Sequence, residues 1–213
     1  MNTQHSFPRS IPENAALLIV DVQNDFLPGG ALAVSKGNEV AFVCRQYIDL
    51  FTAQNRTVIL SRDWHPRNHC SFTTYGGIWP PHCVAKTPGA EFAAALNVPI
   101  DAIIVSKAVT PEKDAYSAFE GFAAGGSTLL KKLKSLKIST LFIGGLATDY
   151  CVRATCLDAR RFGFSVMVLG DAVAAVNVKP DDEKRALEEM ALAGCRLLVS
   201  ESGADKQESG GKG

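Results

Sequence analysis

The chain has six cysteines but no CxxC pair. At 213 residues it is long enough to bury a core without disulfide staples, so free thiols are the expectation. It lacks net charge, because 22 Lys and Arg are matched by 22 Asp and Glu. No field is left to draw in nucleic acid or anionic lipid. No apolar run approaches the ~20 residues that span a bilayer, and no basic, apolar, small-residue leader opens the chain. A cytoplasmic protein with a small neutral ligand is expected. A dinucleotide or triphosphate site has no motif, since GxGxxG does not follow the first strand and GxxxxGK[ST] is missing. Histidine is scarce as well, with four in all.

What is present reads as one globular domain over residues 1–201, with a glycine-rich polar tail, 202–213, expected to be disordered. Short β-branched runs at Ala15 to Val22, Thr57 to Leu60, Ala102 to Val105, Thr140 to Ile143, Ser165 to Leu169 and Arg196 to Val199 read as buried strands. Helically spaced apolar residues fall between them, as in Val40, Val43, Cys44, Tyr47, Ile48 and Phe51. This alternation predicts an α/β fold, a three-layer α/β/α arrangement around a six-stranded, mostly parallel sheet. The stretch from Asp63 to Lys86 breaks the pattern, being irregular and rich in proline, glycine, histidine and aromatics. Long irregular loops inside compact domains are usually functional.

Ligands of open α/β sheets bind beyond the carboxyl ends of the strands. Asp21, Asp63, Lys107 and Cys151 each fall at or just past such an end, and so converge on one crevice. Gly144-Gly145-Leu146-Ala147-Thr148-Asp149-Tyr150-Cys151 leads from a strand into a helical pattern of Cys151, Val152, Thr155, Cys156 and Ala159. A helix N-terminus lowers a thiol pKa and offers N–H groups to a developing oxyanion, so Cys151 is a candidate nucleophile with an expected depressed pKa. Such a nucleophile needs a base and an orienting group, and Asp21 and Lys107 are available. The bland alternatives are a core cysteine, a capping aspartate and a solvated lysine.

Asp63 and His65 stand two apart, so extended backbone points them to one side, and His69 and His82 follow in the same insert. Imidazoles with a carboxylate suit one divalent ion: zinc, iron or manganese. Two histidines and a carboxylate also fit the facial triad of non-haem iron oxygenases, a reading that leaves Lys107 and Cys151 without a role.

Together Val20-Asp21-Val22-Gln23-Asn24-Asp25-Phe26, Ser61-Arg62-Asp63-Trp64-His65-Pro66, Trp79-Pro80-Pro81-His82-Cys83, Asp114-Ala115-Tyr116-Ser117-Ala118-Phe119 and Gly144 to Val152 resemble the nicotinamidases (pyrazinamidases) of the isochorismatase-like cysteine hydrolase superfamily. The resemblance spans almost the whole chain. It implies a Rossmann-like fold, hydrolysis of nicotinamide to nicotinate and ammonia in NAD salvage, and a catalytic set of Asp21, Lys107 and Cys151. It implies an oxyanion hole from the Ala147 and Cys151 amides beside a cis Leu146–Ala147 peptide. Asp63, His65 and His82 are the metal ligands it implies, zinc foremost, with His69 as a further position. Phe26, Trp79 and Tyr116 fall where the family's ring pocket lies. Relatives often self-associate, so a homo-oligomer is expected. The alternatives are a hydrolase of the same fold acting on another small amide, and a non-enzymatic, metal-stabilised module with a reactive thiol.

Overall fold

The computed structural model describes residues 10–198. The expected tail and residues 199–201 lie outside the described residues. Strand β1 (Ala15–Val20) is buried along its full length. Alternation sends Leu17 and Ile19 into one apolar cluster and Leu18 and Val20 into the other, so β1 divides two cores. The first cluster lies under α1 (Gly37–Ala53), whose buried stripe of Val40, Val43, Cys44, Tyr47, Ile48 and Phe51 follows the helical period read from sequence. The second lies under α2 (Leu129–Ser135), α3 (Arg153–Arg161) and α4 (Asp182–Leu192), giving the expected three layers.

The remaining strands are β2 (Thr57–Asp63), β3 (Ile103–Lys107), β4 (Phe122–Ala123), β5 (Thr140–Leu146), β6 (Ser165–Ala174) and β7 (Arg196–Leu198). They form one sheet in the order β4-β3-β2-β1-β5-β6-β7, parallel except for the β3–β4 pair. The sheet therefore has seven strands, not six. The extra one is two residues long, antiparallel at an edge, and followed by Gly125 and Gly126. Two residues carry no periodicity, so nothing in the sequence marked it.

The chain runs outward from β1 through β2, β3 and β4, then returns to β5 on the other side of β1. The order reverses at β1, and the crevice beyond the carboxyl ends of β1 and β5 is the switch point where such sheets hold ligands. The irregular insert extends past Lys86 to residue 102, since only short 3-10 turns interrupt the path from β2 to β3. Among the described residues no helix is long and apolar enough to cross a membrane.

Candidate active site

On β2, the pleat puts Ile59, Ser61 and Asp63 on one face and Val58, Leu60 and Arg62 on the other. Asp63 pairs in register with Lys107 on β3. Lys107 thus leaves the sheet beside Asp63, fully buried, and its ammonium becomes the hub of the site. Lys107 Nζ lies 3.0 Å from Asp21 Oδ2, donates to Asp63 Oδ1 and to the Ala115 carbonyl at 3.1 Å, and reaches Cys151 Sγ at 3.5 Å. Asp21, Asp63 and Cys151 each offer one atom within 4.8 Å of the others. The residues singled out from four strand ends therefore do meet.

Burial would strip a lysine of its proton, but the carboxylates of Asp21 and Asp63 overcome it and hold the Lys107 ammonium well above its ordinary range. For Asp63, burial is outweighed by Lys107 and His65 acting together, and its carboxyl stays below the usual carboxylate range. For Asp21 burial wins over the opposing charge of Lys107, and its pKa rises. One ammonium cannot fully neutralise two carboxylates, and the pair separates into a firm anion and a proton acceptor.

Cys151 departs from expectation. It sits in a π-helical turn, Thr148–Val152, that feeds α3, but burial pushes its thiol well above the ordinary value. Lys107 opposes this, and the nearby Asp21 and Asp63 add to it. Cys151 is only 6% exposed, a burial that the sequence did not reveal and that raises a thiol's pKa. At rest it keeps its proton, which makes an adjacent base a requirement. The Leu146–Ala147 peptide leading into this turn is cis, and the Ala147 carbonyl accepts from the amides of Tyr150 and Val152, each at 3.1 Å.

Asp63, His65 and His82 also offer atoms within 4.8 Å of one another. His65 has both ring nitrogens buried without a hydrogen-bond partner, and its Nε2 is 3.7 Å from Asp63 Oδ2. His82 donates from Nδ1 to the Pro80 carbonyl at 2.8 Å, which leaves Nε2 as a lone pair. Burial keeps the His82 imidazole below its usual pKa, in the neutral form that ligates. Orphaned imidazole nitrogens beside an anionic carboxylate fit a divalent cation. His69 stacks 4.2 Å from the His65 ring, but its Nδ1 meets Ser71 Oγ at 2.7 Å and its Nε2 meets the Lys113 carbonyl at 3.1 Å. With both nitrogens engaged it stands beside the three-residue cluster.

Between these two groups lies a small cavity, about 370 Å³ with its open mouth included. Phe26, Trp79 and Tyr116 line it, as do Ala147, Cys151 and His82. Trp79 Nε1 donates to the Tyr116 hydroxyl at 3.2 Å, which ties two walls together. Leu32, Tyr150 and Val176 also line the cavity and were not read from sequence. Nor was Gln23, fully buried, which accepts from Asp63 N and donates to Asp63 O, each at 2.8 Å. Asp149 accepts from the Val176 and Asn177 amides at 3.0 and 2.9 Å and so holds one wall against the cysteine turn. For Gln23, Asp149 and Tyr150 the only signal was a place inside the quoted motifs, and Leu32 and Val176 had none. Two larger clefts, one beside α4 and one below β2 and β3, contain neither cluster.

The Isochorismatase domain model matches residues 15–202. The chain belongs to the isochorismatase family. It is 39% identical to the nicotinamidase of Escherichia coli (strain K12), over 92% of this chain and 98% of that one. Among solved structures it resembles the pyrazinamidase of Pyrococcus horikoshii in complex with zinc, at 48% identity and a TM-score of 0.80, covering 88% of this chain and 99% of that one. It also resembles PnC1 from L. infantum in complex with nicotinate, at 39% identity and a TM-score of 0.75, covering 87% and 92%. The matches cover at least 92% of each of these three relatives.

Proposed function

We propose that this isochorismatase-family chain is a nicotinamidase, hydrolysing nicotinamide to nicotinate and ammonia in NAD salvage. One observation carries the reading: the Cys151 thiol lines the same small aromatic-walled cavity as Asp63 and His82 of the candidate metal cluster, with the buried Lys107 ammonium 3.5 Å from the sulfur and 3.0 Å from Asp21. The relatives named above point the same way.

In the mechanism we assign, Asp21 takes the Cys151 proton as sulfur attacks the amide carbon. Lys107 stabilises the charges that develop on sulfur and carboxyl. The amides of Ala147 and Cys151 receive the oxyanion. Asp21 returns the proton to the departing nitrogen, and ammonia leaves a thioester on Cys151. Asp21 then takes a proton from water, whose oxygen attacks the thioester carbonyl; the C–S bond breaks, Asp21 returns the proton to sulfur, and nicotinate is released. Phe26, Trp79 and Tyr116 sandwich the ring.

Asp63, His65 and His82 would hold one divalent ion, and we assign zinc in preference to iron or manganese. Two imidazoles and a carboxylate are a usual zinc set with a position to spare. When bound, that ion supplies an acceptor for a ring nitrogen and so fixes the ring over Cys151.

The assigned setting is the cytoplasm, as a homo-oligomer with a small-molecule substrate and neither nucleic acid nor membrane as partner; gel filtration reads the assembly. The decisive experiment is a coupled ammonia assay with nicotinamide, pyrazinamide and benzamide, before and after chelation, with metal content measured on the same samples. Turnover of the two nitrogen-containing rings, lost on chelation and restored by zinc, is expected. Equal turnover of benzamide, or full activity in metal-free protein, would overturn the reading.

A further inference from the structure

A carboxylate that must both accept and return a proton has to present one particular oxygen to the sulfur. Rotation about the Cβ–Cγ bond is soft and roughly two-fold, so nothing intrinsic to aspartate chooses between its oxygens. At Asp21 the two differ sharply. Oδ1 accepts from Ser61 Oγ at 2.7 Å, whereas Oδ2 is buried, has no hydrogen bond of good geometry, and lies 3.0 Å from Lys107 Nζ.

Ser61 is fully buried in β2, on the face it shares with the buried Ile59. A hydroxyl there costs free energy unless it is bonded, and Asp21 is its side-chain partner. Its backbone carbonyl also accepts from Asp21 N at 3.2 Å. Ser61 therefore grips one residue at two points, and that residue sits at φ 49°, in the left-handed region that non-glycine residues rarely adopt. Asp63, two positions on, shares the same face of the strand. One face of β2 thus aims the Asp21 carboxylate and anchors the Lys107 ammonium.

We propose that Ser61 is a positioning residue for the hydrolysis: by donating to Oδ1 it breaks the symmetry of the Asp21 carboxylate and holds the Oδ2 lone pair toward Cys151. Without the donor, the carboxylate can turn to give Lys107 a two-oxygen contact, which occupies the lone pair that must take the thiol proton. The effect falls on proton transfer and leaves ring binding alone. Ser61 belongs neither to the cavity lining nor to the metal cluster. The inference rests on the reading of Asp21 as the base, so the experiment includes a variant that tests that reading separately.

Steady-state kinetics on S61A, S61C, S61T and D21N, each zinc-loaded, test it. S61C keeps the volume and weakens the donor, and S61T keeps the donor. For S61A and S61C, kcat should fall roughly ten- to hundredfold, the range covered by losing a hydrogen bond to a charged group, with KM unchanged. S61T should restore kcat to within a few-fold of the natural enzyme. Alkylation of Cys151 by iodoacetamide, followed by peptide mass mapping, should slow in S61A and S61C in step with kcat. If S61C folds with an unchanged melting temperature and keeps natural kcat while D21N is inactive, the role of Ser61 is refuted and the base stands. If D21N itself keeps natural kcat, the base assignment fails instead. A rise in KM at constant kcat would mean Ser61 shapes the pocket, and would also overturn the proposal.

Discussion

Lys107 carries more of this site than any other single side chain. It is fully buried, and two carboxylates, a thiol and a backbone carbonyl surround its ammonium. Lys107→Met keeps the volume but leaves Asp21 and Asp63 facing each other without a cation. Breaking a buried ion pair in this way costs about 3–5 kcal/mol. Urea unfolding should show that loss together with absent turnover, and a variant as stable as the natural protein would mean that the ammonium is not the hub. Cys151→Ala is the contrasting case. It deletes a weak donor from a mostly apolar pocket, so the fold and the metal content should persist while ammonia release stops. Turnover in this variant above about a thousandth of the natural rate would reject a covalent thioester. These residues were legible in the sequence because an aspartate closing an apolar strand, or a lysine at the end of another, calls for a physical reason. Ser61 and Gln23 were not, since each looks ordinary until its partner, 40 residues away in the chain, is known.

The approach of β5 to β1 sets where the cysteine turn begins. Gly145 lies opposite Val20 at φ 120°, where the β5–β6 register also shifts between Ile143 and Gly145. A Cβ at Gly145 would land on the Val20 backbone, so alanine there meets a steric clash and an unfavourable backbone conformation together. We expect Gly145→Ala to cost at least about 3 kcal/mol. Gly76→Ala, left-handed but with open space around it, should cost about 1 kcal/mol. Equal denaturation midpoints for the two variants would contradict the close strand contact. At this scale the strand centres were readable and their ends were not. The β-branched run that marks β6 stops at Leu169, yet the strand runs on to Ala174, because after a register shift Val173 and Ala174 pair with Gly145 and Leu146 of β5 and extend a strand that composition does not. The path from β2 to β3 was readable only as irregular, since short 3-10 turns have no period to detect.

For the whole molecule, the layered α/β architecture followed from the alternation of patterns, whereas the reversal of strand order at β1, which places the crevice, is a long-range property that no local pattern encodes. The same long-range character makes metal binding a statement about global stability. Asp63 ends β2, whereas His65 and His82 belong to the insert that follows, so the cluster forms only when the insert has folded back on the sheet. A divalent ion held there binds the native state and has no preformed site in the unfolded chain. At a free concentration 100 times its dissociation constant it should add about 2.7 kcal/mol. For a domain of this size that is roughly 5–10 °C in melting temperature. Calorimetry of chelated protein with and without zinc should show that rise in the natural protein and equally in Cys151→Ala, where catalysis is gone and the ligands remain. His82→Ala should show little of it. An equal gain in His82→Ala would place the ion elsewhere, and no gain in the natural protein would mean that the buried, unpartnered nitrogens of His65 answer to something other than a cation.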